Sequence, residues 1–176
     1  MDKGYIQIYT GNGKGKTTAA LGLGLRAVGS GCKVIMVQFL KGSPTSELIS
    51  TKLLGNQFEI IRLVAHEKFF WQLTEIEKTS LKQQLDIEIR RVFEILDKNL
   101  CDVLILDEIF GALTNEMVTM EQLNQILDLK PEGLEIVLTG RNAPEEIIDR
   151  ADLVTEMKPI KHYYEKGIKS RKGIEY

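Results

Sequence analysis

Tyr5-Ile6-Gln7-Ile8-Tyr9-Thr10-Gly11-Asn12-Gly13-Lys14-Gly15-Lys16-Thr17-Thr18-Ala19-Ala20-Leu21 is the stretch that decides the fold. Its first half is an apolar strand pattern. Its second half opens a helix pattern that continues through Leu23 and Leu25. Between them lies a glycine-rich loop ending in Gly15-Lys16-Thr17-Thr18. Strand, glycine loop and helix in that order are what a phosphate-binding loop requires. Glycines let successive N–H groups face one concavity, and the helix N-terminus adds partial positive charge. Lys16 is then placed to reach phosphate and the Thr17 hydroxyl to ligate Mg²⁺. The alternative, a bland glycine-rich turn, does not explain why Gly-Lys-Thr-Thr stands at the strand-to-helix junction.

The loop is one residue short. The usual spacing puts four residues between its first glycine and Gly-Lys-Thr. That glycine would fall at position 10, which is Thr10. Gly11 is the first glycine, followed by Asn12, Gly13 and Lys14. The cradle is therefore tighter and carries a second lysine, so an ordinary orientation of a triphosphate does not follow.

Outward from this loop, apolar runs alternate with helical patterns, which predicts a parallel sheet flanked by helices. Strands are expected at 5–10, 33–39, 58–64, 102–107, 134–139 and 153–156. The run Val103-Leu104-Ile105-Leu106 is continuously apolar, as in a central strand covered on both faces. The first helix should stop near Gly29-Ser30-Gly31. A long helix is expected over about 75–99, with a capping box at Thr74 and Glu77 and a buried stripe of Leu81, Leu85, Ile89, Val92 and Leu96. Thr119 and Gln122 repeat the capping pattern, and Pro144 suits a first helical turn. The fold class is α/β, phosphate-loop NTPase-like with a RecA-like build, over residues 1–176 as a single domain. Residues 41–56 are polar and turn-rich. The segment 159–176 is basic and aromatic, either a solvated terminus or part of a site.

A second chemical motif ends the central run. Asp107 and Glu108 follow Leu106, at the strand edge where ligands bind in such sheets. In a phosphate-loop protein this is the place of a Mg²⁺-holding carboxylate, and either residue can fill it. Thr139-Gly140-Arg141 ends another strand at the same edge. Arg141 meets phosphate there or makes a structural ion pair.

Composition sets the bounds. With 176 residues, 43% hydrophobic and 27% charged, the chain is an ordinary globular protein. A net charge of −2 gives no field that favours nucleic acid. Cys32 and Cys101 fit no metal spacing, and two isolated histidines make a zinc site improbable. Without a signal peptide or an apolar run of membrane length, the cytoplasm is the expected location and no membrane partner is expected.

Taken together, these residues resemble the ATP:corrinoid adenosyltransferases of the cobalamin-biosynthetic CobO/BtuR type. The resembling segments are residues 9–20, Arg-Ala-Val-Gly (26–29), Val-Gln-Phe-Leu-Lys-Gly (37–42), Leu-Asp-Glu (106–108) and Thr-Gly-Arg (139–141). Pro-Ile-Lys-His (159–162) and Gly-Ile-Glu-Tyr (173–176) complete them. The resemblance implies transfer of the 5′-deoxyadenosyl group of ATP to the cobalt of a reduced corrinoid, with release of triphosphate. It implies that Gly11, Asn12, Gly13, Lys14, Gly15, Lys16, Thr17 and Thr18 hold the triphosphate in a reversed direction, with Arg141 nearby. Thr17 and Glu108 would bind Mg²⁺, with Asp107 the other candidate. Lys16, Lys14 and Glu108 would carry the catalytic charges. Phe69 and Trp71 resemble the aromatic pair that faces the corrinoid, although an aromatic group there also reads as core. A homodimer and a flavoprotein-type reductant for cobalt are implied as partners. Some relatives carry an N-terminal extension that helps close a neighbouring subunit's site, and this sequence starts close to its first strand. The competing functions are a RecA-like ATPase or kinase and a non-enzymatic nucleotide switch.

Overall fold

Every strand of the sheet runs the same way. The computed structural model describes residues 2–41, 45–63 and 73–176. Among them the strands are β1 (Ile6–Thr10), β2 (Val34–Gln38), β3 (Phe58–Arg62), β4 (Val103–Asp107), β5 (Glu135–Thr139) and β6 (Leu153–Glu156). They form one sheet in the order β3-β2-β4-β5-β1-β6, with all pairings parallel. The fold is α/β and phosphate-loop NTPase-like, with the RecA-like layout. Parallel strands need crossover connections, and helices supply them. These are α1 (Lys16–Gly29), α2 (Glu47–Ser50), α3 (Glu75–Glu88), α4 (Arg90–Asp97), α5 (Ile109–Thr114), α6 (Met120–Asp128) and α7 (Glu145–Arg150). A 3₁₀ helix spans Thr51–Gln57 and another Tyr163–Lys166. None of the described helices is long and apolar enough to cross a membrane.

Side chains alternate across the sheet, so β4 feeds two cores. Leu104 and Leu106 join Ile8, Val37, Ile136 and Leu138 on one face, packed against α3, α4, α5 and α6 through Leu85, Val92, Phe110 and Leu123. Val103 and Ile105 join Val34, Met36 and Val137 on the other, against Ala20 of α1 and Phe58. Gly24 is required in α1: a Cβ there would stand 2.6 Å from the Phe58 ring. The strand lengths follow the apolar runs to within about a residue, except that β3 ends at Arg62.

Both expected capping boxes are present. The Thr74 and Thr119 side chains accept from the N–H groups of Glu77 and Gln122, whose side chains reach back in turn. The expected helix over 75–99 is two helices. The two meet at Ile89, whose backbone stays αR (φ −62°, ψ −23°) while its carbonyl accepts from Val92 N–H at 2.9 Å, a 3₁₀-type bond, and Leu81, Leu85, Ile89, Val92 and Leu96 are all buried as one stripe. Pro144 stands one residue outside its helix, as the N-cap of α7 with extended ψ.

Candidate active site

Two strands separated by a third bring the site together. β1 leads into the phosphate loop and β4 into the acidic pair, with β5 between them. All three end at the same sheet edge. Thr10 is the last residue of β1, largely buried, and its hydroxyl accepts from Ala143 N–H at 3.3 Å. A strand residue therefore occupies the place where the usual loop has its first glycine. The loop is closed on its outer side by the chain after β6. Gly13 N–H donates to Met157 O at 2.7 Å. A Cβ on Gly11 or Gly13 would approach Met157 O to 2.5 and 2.7 Å, so both positions need glycine. Gly15 caps α1 with φ 119°, a left-handed conformation open to glycine at little cost. Lys16 Nζ curls over the loop and donates to Gly11 O and Gly13 O, each at 2.8 Å.

Asp107 is fully buried at the end of β4. Its Oδ1 accepts from Thr17 Oγ1 and from Thr139 Oγ1, both at 2.8 Å. Its Oδ2 lies 3.0 Å from Lys41 Nζ and accepts from Gln38 Nε2 at 3.4 Å. Thr139 therefore ties β5 to β4, and Thr17 ties the loop helix to both. Glu108 has a left-handed backbone (φ 63°), and its N–H donates to Thr139 Oγ1 at 2.9 Å. That turn sets its side chain on the cleft wall while Asp107 stays beneath.

The cleft has a volume of about 610 Å³. Lys14, Gly15, Lys16, Thr17 and Thr18 form its floor, with Lys41, Glu108 and Arg141 beside them. Gly11, Asn12 and Gly13 belong to the loop but not to the cleft lining. Phe69 and Trp71 lie outside the described residues. Residues 173–176 supply a further wall, as do Ser46, Glu47 and Ser50.

Charge here is concentrated and partly dry. Burial lowers the Lys16 ammonium below the ordinary lysine range, and Arg141 adds to this while Glu108 and Asp107 oppose it. Burial raises the Glu108 carboxyl, and the charge of Asp107 raises it further, against Lys41, Lys16 and Arg141. Burial works against the Lys41 ammonium too, but Asp107, Glu108 and Glu47 together outweigh it and the net direction is upward. A phosphate cradle beside two carboxylates is electrostatically uneven, and it is suited to a polyanion arriving with a divalent cation.

The donor set fits Mg²⁺. The Thr17 hydroxyl and the Asp107 and Glu108 carboxylates are hard oxygen donors. No cluster of three or more His, Cys, Asp or Glu exists among the described residues. A cation at this site would thus complete its shell with phosphate oxygens and water, which is the habit of Mg²⁺.

Sequence reasoning placed the loop, the acidic pair and Arg141 together, as the structure does. It assigned nothing to Gln38, Lys41, Thr139 or Met157. Gln38 and Lys41 lie within a resembling segment, and Thr139 directly precedes Gly140-Arg141, so their position was visible. Their convergence on Asp107 depends on strand order, which no local pattern reports.

Comparison with known proteins accords with this geometry. Residues 2–176 match the model of the family described as "ATP:corrinoid adenosyltransferase BtuR/CobO/CobP". The chain is 34% identical to the corrinoid adenosyltransferase of Escherichia coli K12, over 99% of this chain and 87% of that protein. It is 33% identical to corrinoid adenosyltransferase CobA of Salmonella typhimurium, with the same coverage. Among solved structures, the flagellar accessory protein FlaH of Methanocaldococcus jannaschii superposes with a TM-score of 0.53 at 17% identity, over 89% of this chain and 72% of that one, a likeness of fold alone. A full-length family match and relatives above 30% identity, on a site of phosphate loop and paired carboxylates, establish that this chain belongs to the ATP:corrinoid adenosyltransferase family.

Proposed function

We propose that this protein transfers the 5′-deoxyadenosyl group of ATP to the cob(I) centre of a reduced corrinoid and releases triphosphate. The observation that carries the proposal is the shortened loop, held tight by Met157 and facing Glu108, in a chain of this family. The cobalt(I) centre of the substrate is itself a strong nucleophile, so the protein need supply no general base. Cobalt attacks the ribose 5′ carbon, the cobalt–carbon bond forms as the carbon–oxygen bond breaks, and triphosphate leaves with the electron pair.

The chain's own work is alignment and charge. Lys16, Lys14, Arg141 and the loop N–H groups of Gly15 to Thr18 stabilise the departing triphosphate. Alignment of two reactants contributes as much as about 7–11 kcal/mol in favourable cases. Thr17, Glu108 and Asp107 would hold Mg²⁺, which neutralises the phosphate oxygens when bound. Lys41 pairs with Asp107 beneath that position and orients its carboxylate. The tight cradle grips the phosphate end remote from the ribose, so that the 5′ carbon faces out of the loop towards the corrinoid. Phe69 and Trp71 belong to the corrinoid side in this reading. It also includes a homodimer, a flavoprotein-type reductant that delivers cob(I), and a cytoplasmic location.

The test is incubation with ATP, Mg²⁺ and chemically reduced cobalamin, read by optical spectrum and ³¹P NMR. Triphosphate should appear in step with the cobalt–carbon bond. ADP with orthophosphate as the main products would falsify the transferase reading and favour a RecA-like ATPase.

A further inference from the structure

The segment after β6 turns back across the phosphate loop. Arg171 O accepts from the N–H groups of Ile174 and Glu175, at 3.2 and 2.9 Å, which folds residues 171–176 into a compact turn. At one end of the cleft Ser46 Oγ donates to the main-chain oxygen of Tyr176 at 3.0 Å. At the other, Lys14 Nζ donates to Glu175 Oε1 at 2.7 Å and to the Tyr163 hydroxyl at 3.0 Å. The Tyr163 hydroxyl in turn donates to Glu175 Oε1. The Arg171 N–H donates to Glu175 Oε2 at 2.7 Å, and its guanidinium lies 3.3 Å from each carboxylate oxygen. That guanidinium also sits 4.9 Å from the Tyr163 ring centre. The Glu175 carboxylate is thus fixed by Arg171 and Tyr163 whether or not Lys14 is present.

From this we infer that Glu175 is a positioning residue for the triphosphate: it holds Lys14 at the rim of the cleft, within reach of a bound phosphate. The inference rests on the adenosyltransferase reading of the cleft. Among the described residues two of the three Lys14 N–H donors are taken, by Glu175 and Tyr163, which leaves the third for a phosphate oxygen. A free lysine on an exposed loop must be ordered at the moment of binding, which costs side-chain entropy. Here the ordering is already done. A carboxylate in an anion site would by itself repel the ligand. Arg171 and Lys14 flank Glu175 closely enough to offset its charge, and they hold its carboxyl well below the usual range.

The test is a double-mutant cycle read as binding, without corrinoid, by titration calorimetry with Mg²⁺-ATP and with Mg²⁺ and inorganic triphosphate. Glu175→Gln should weaken both ligands about tenfold and by the same factor, because Lys14 meets only the phosphate end. Tyr163→Phe, which keeps the ring and its packing, should weaken both about threefold. In a Lys14→Ala background neither change should cost more than about twofold further. Unchanged or tighter binding by Glu175→Gln would mean that Glu175 competes with phosphate for Lys14, and the inference would fail. Equal losses in both backgrounds would also overturn it, since Glu175 would then act only by folding the segment. Transfer is not the readout, so failure here leaves the adenosyltransferase reading standing. Conversely, absent adenosylation with the coupling intact would count against that reading alone.

Discussion

Thr139 makes two hydrogen bonds through its single hydroxyl. Its hydroxyl donates to Asp107 and accepts from the Glu108 N–H. Thr139→Val keeps the shape but strands a partly buried N–H and removes a donor from a buried carboxylate. Such losses cost about 1–3 kcal/mol each, so a drop of that order is expected in denaturant unfolding. A drop below about 0.5 kcal/mol would show that the site relaxes around the change. Lys16→Ala should nearly abolish adenosyl transfer at saturating ATP, because the leaving triphosphate loses its central fixed cation. Glu108→Gln should raise the Mg²⁺ concentration needed for half-maximal rate more than Asp107→Asn does, since Glu108 lines the cleft and Asp107 lies below it. The opposite ranking would make Asp107 the direct ligand. At this scale the sequence was informative wherever chemistry is local. Gly15-Lys16-Thr17 follows from spacing alone. It was uninformative about Lys41 and Thr139, whose roles exist only because β2 and β5 both flank β4.

The elements were legible because their signals are strong and short-ranged. β4 is apolar from Val103 to Leu106 and β5 from Ile136 to Leu138, and the two capping boxes announce α3 and α6. The break between α3 and α4 was not legible. The apolar stripe passes straight through Ile89, and no glycine or proline marks the change. The stripe still governs the energetics. Leu85 is fully buried in the core on the α3–α6 face. Leu85→Ala should cost about 2–5 kcal/mol, the range for deleting a buried leucine side chain. Thermal unfolding followed by circular dichroism would detect this as a marked fall in Tm. A change under 1 kcal/mol would mean that α3 repacks freely over the sheet. The basic and aromatic composition of 159–176 suits a solvated segment and part of a site equally. The structure resolves this through contacts more than a hundred residues apart in sequence, such as Lys14 with Glu175 and Ser46 with Tyr176.

At the scale of the whole molecule the cleft faces the sheet edge where β1, β4 and β5 end. Corrinoid must approach that edge if the 5′ carbon points out of the loop. Trp71 is the single tryptophan, so its fluorescence reports one place in the chain. Its emission should be quenched when corrinoid is added to the ATP-loaded protein, and Trp71→Ala should slow adenosylation while leaving ATP affinity nearly unchanged. Unaltered emission on corrinoid binding, with normal transfer by Trp71→Ala, would remove Trp71 from the corrinoid side.

The placing of β5 between β1 and β4 has a consequence for how such a protein can change over generations. β1, which carries the anion cradle, and β4, which carries the acidic pair, lie two strand spacings apart, roughly 10 Å, a pitch fixed by backbone hydrogen bonding. No single substitution can widen or narrow it. Selection for a bulkier or slimmer acceptor must therefore work on what borders the cleft, namely the α2 region and residues 173–176, while the spacing of the strands that carry cradle and carboxylates is inherited unaltered.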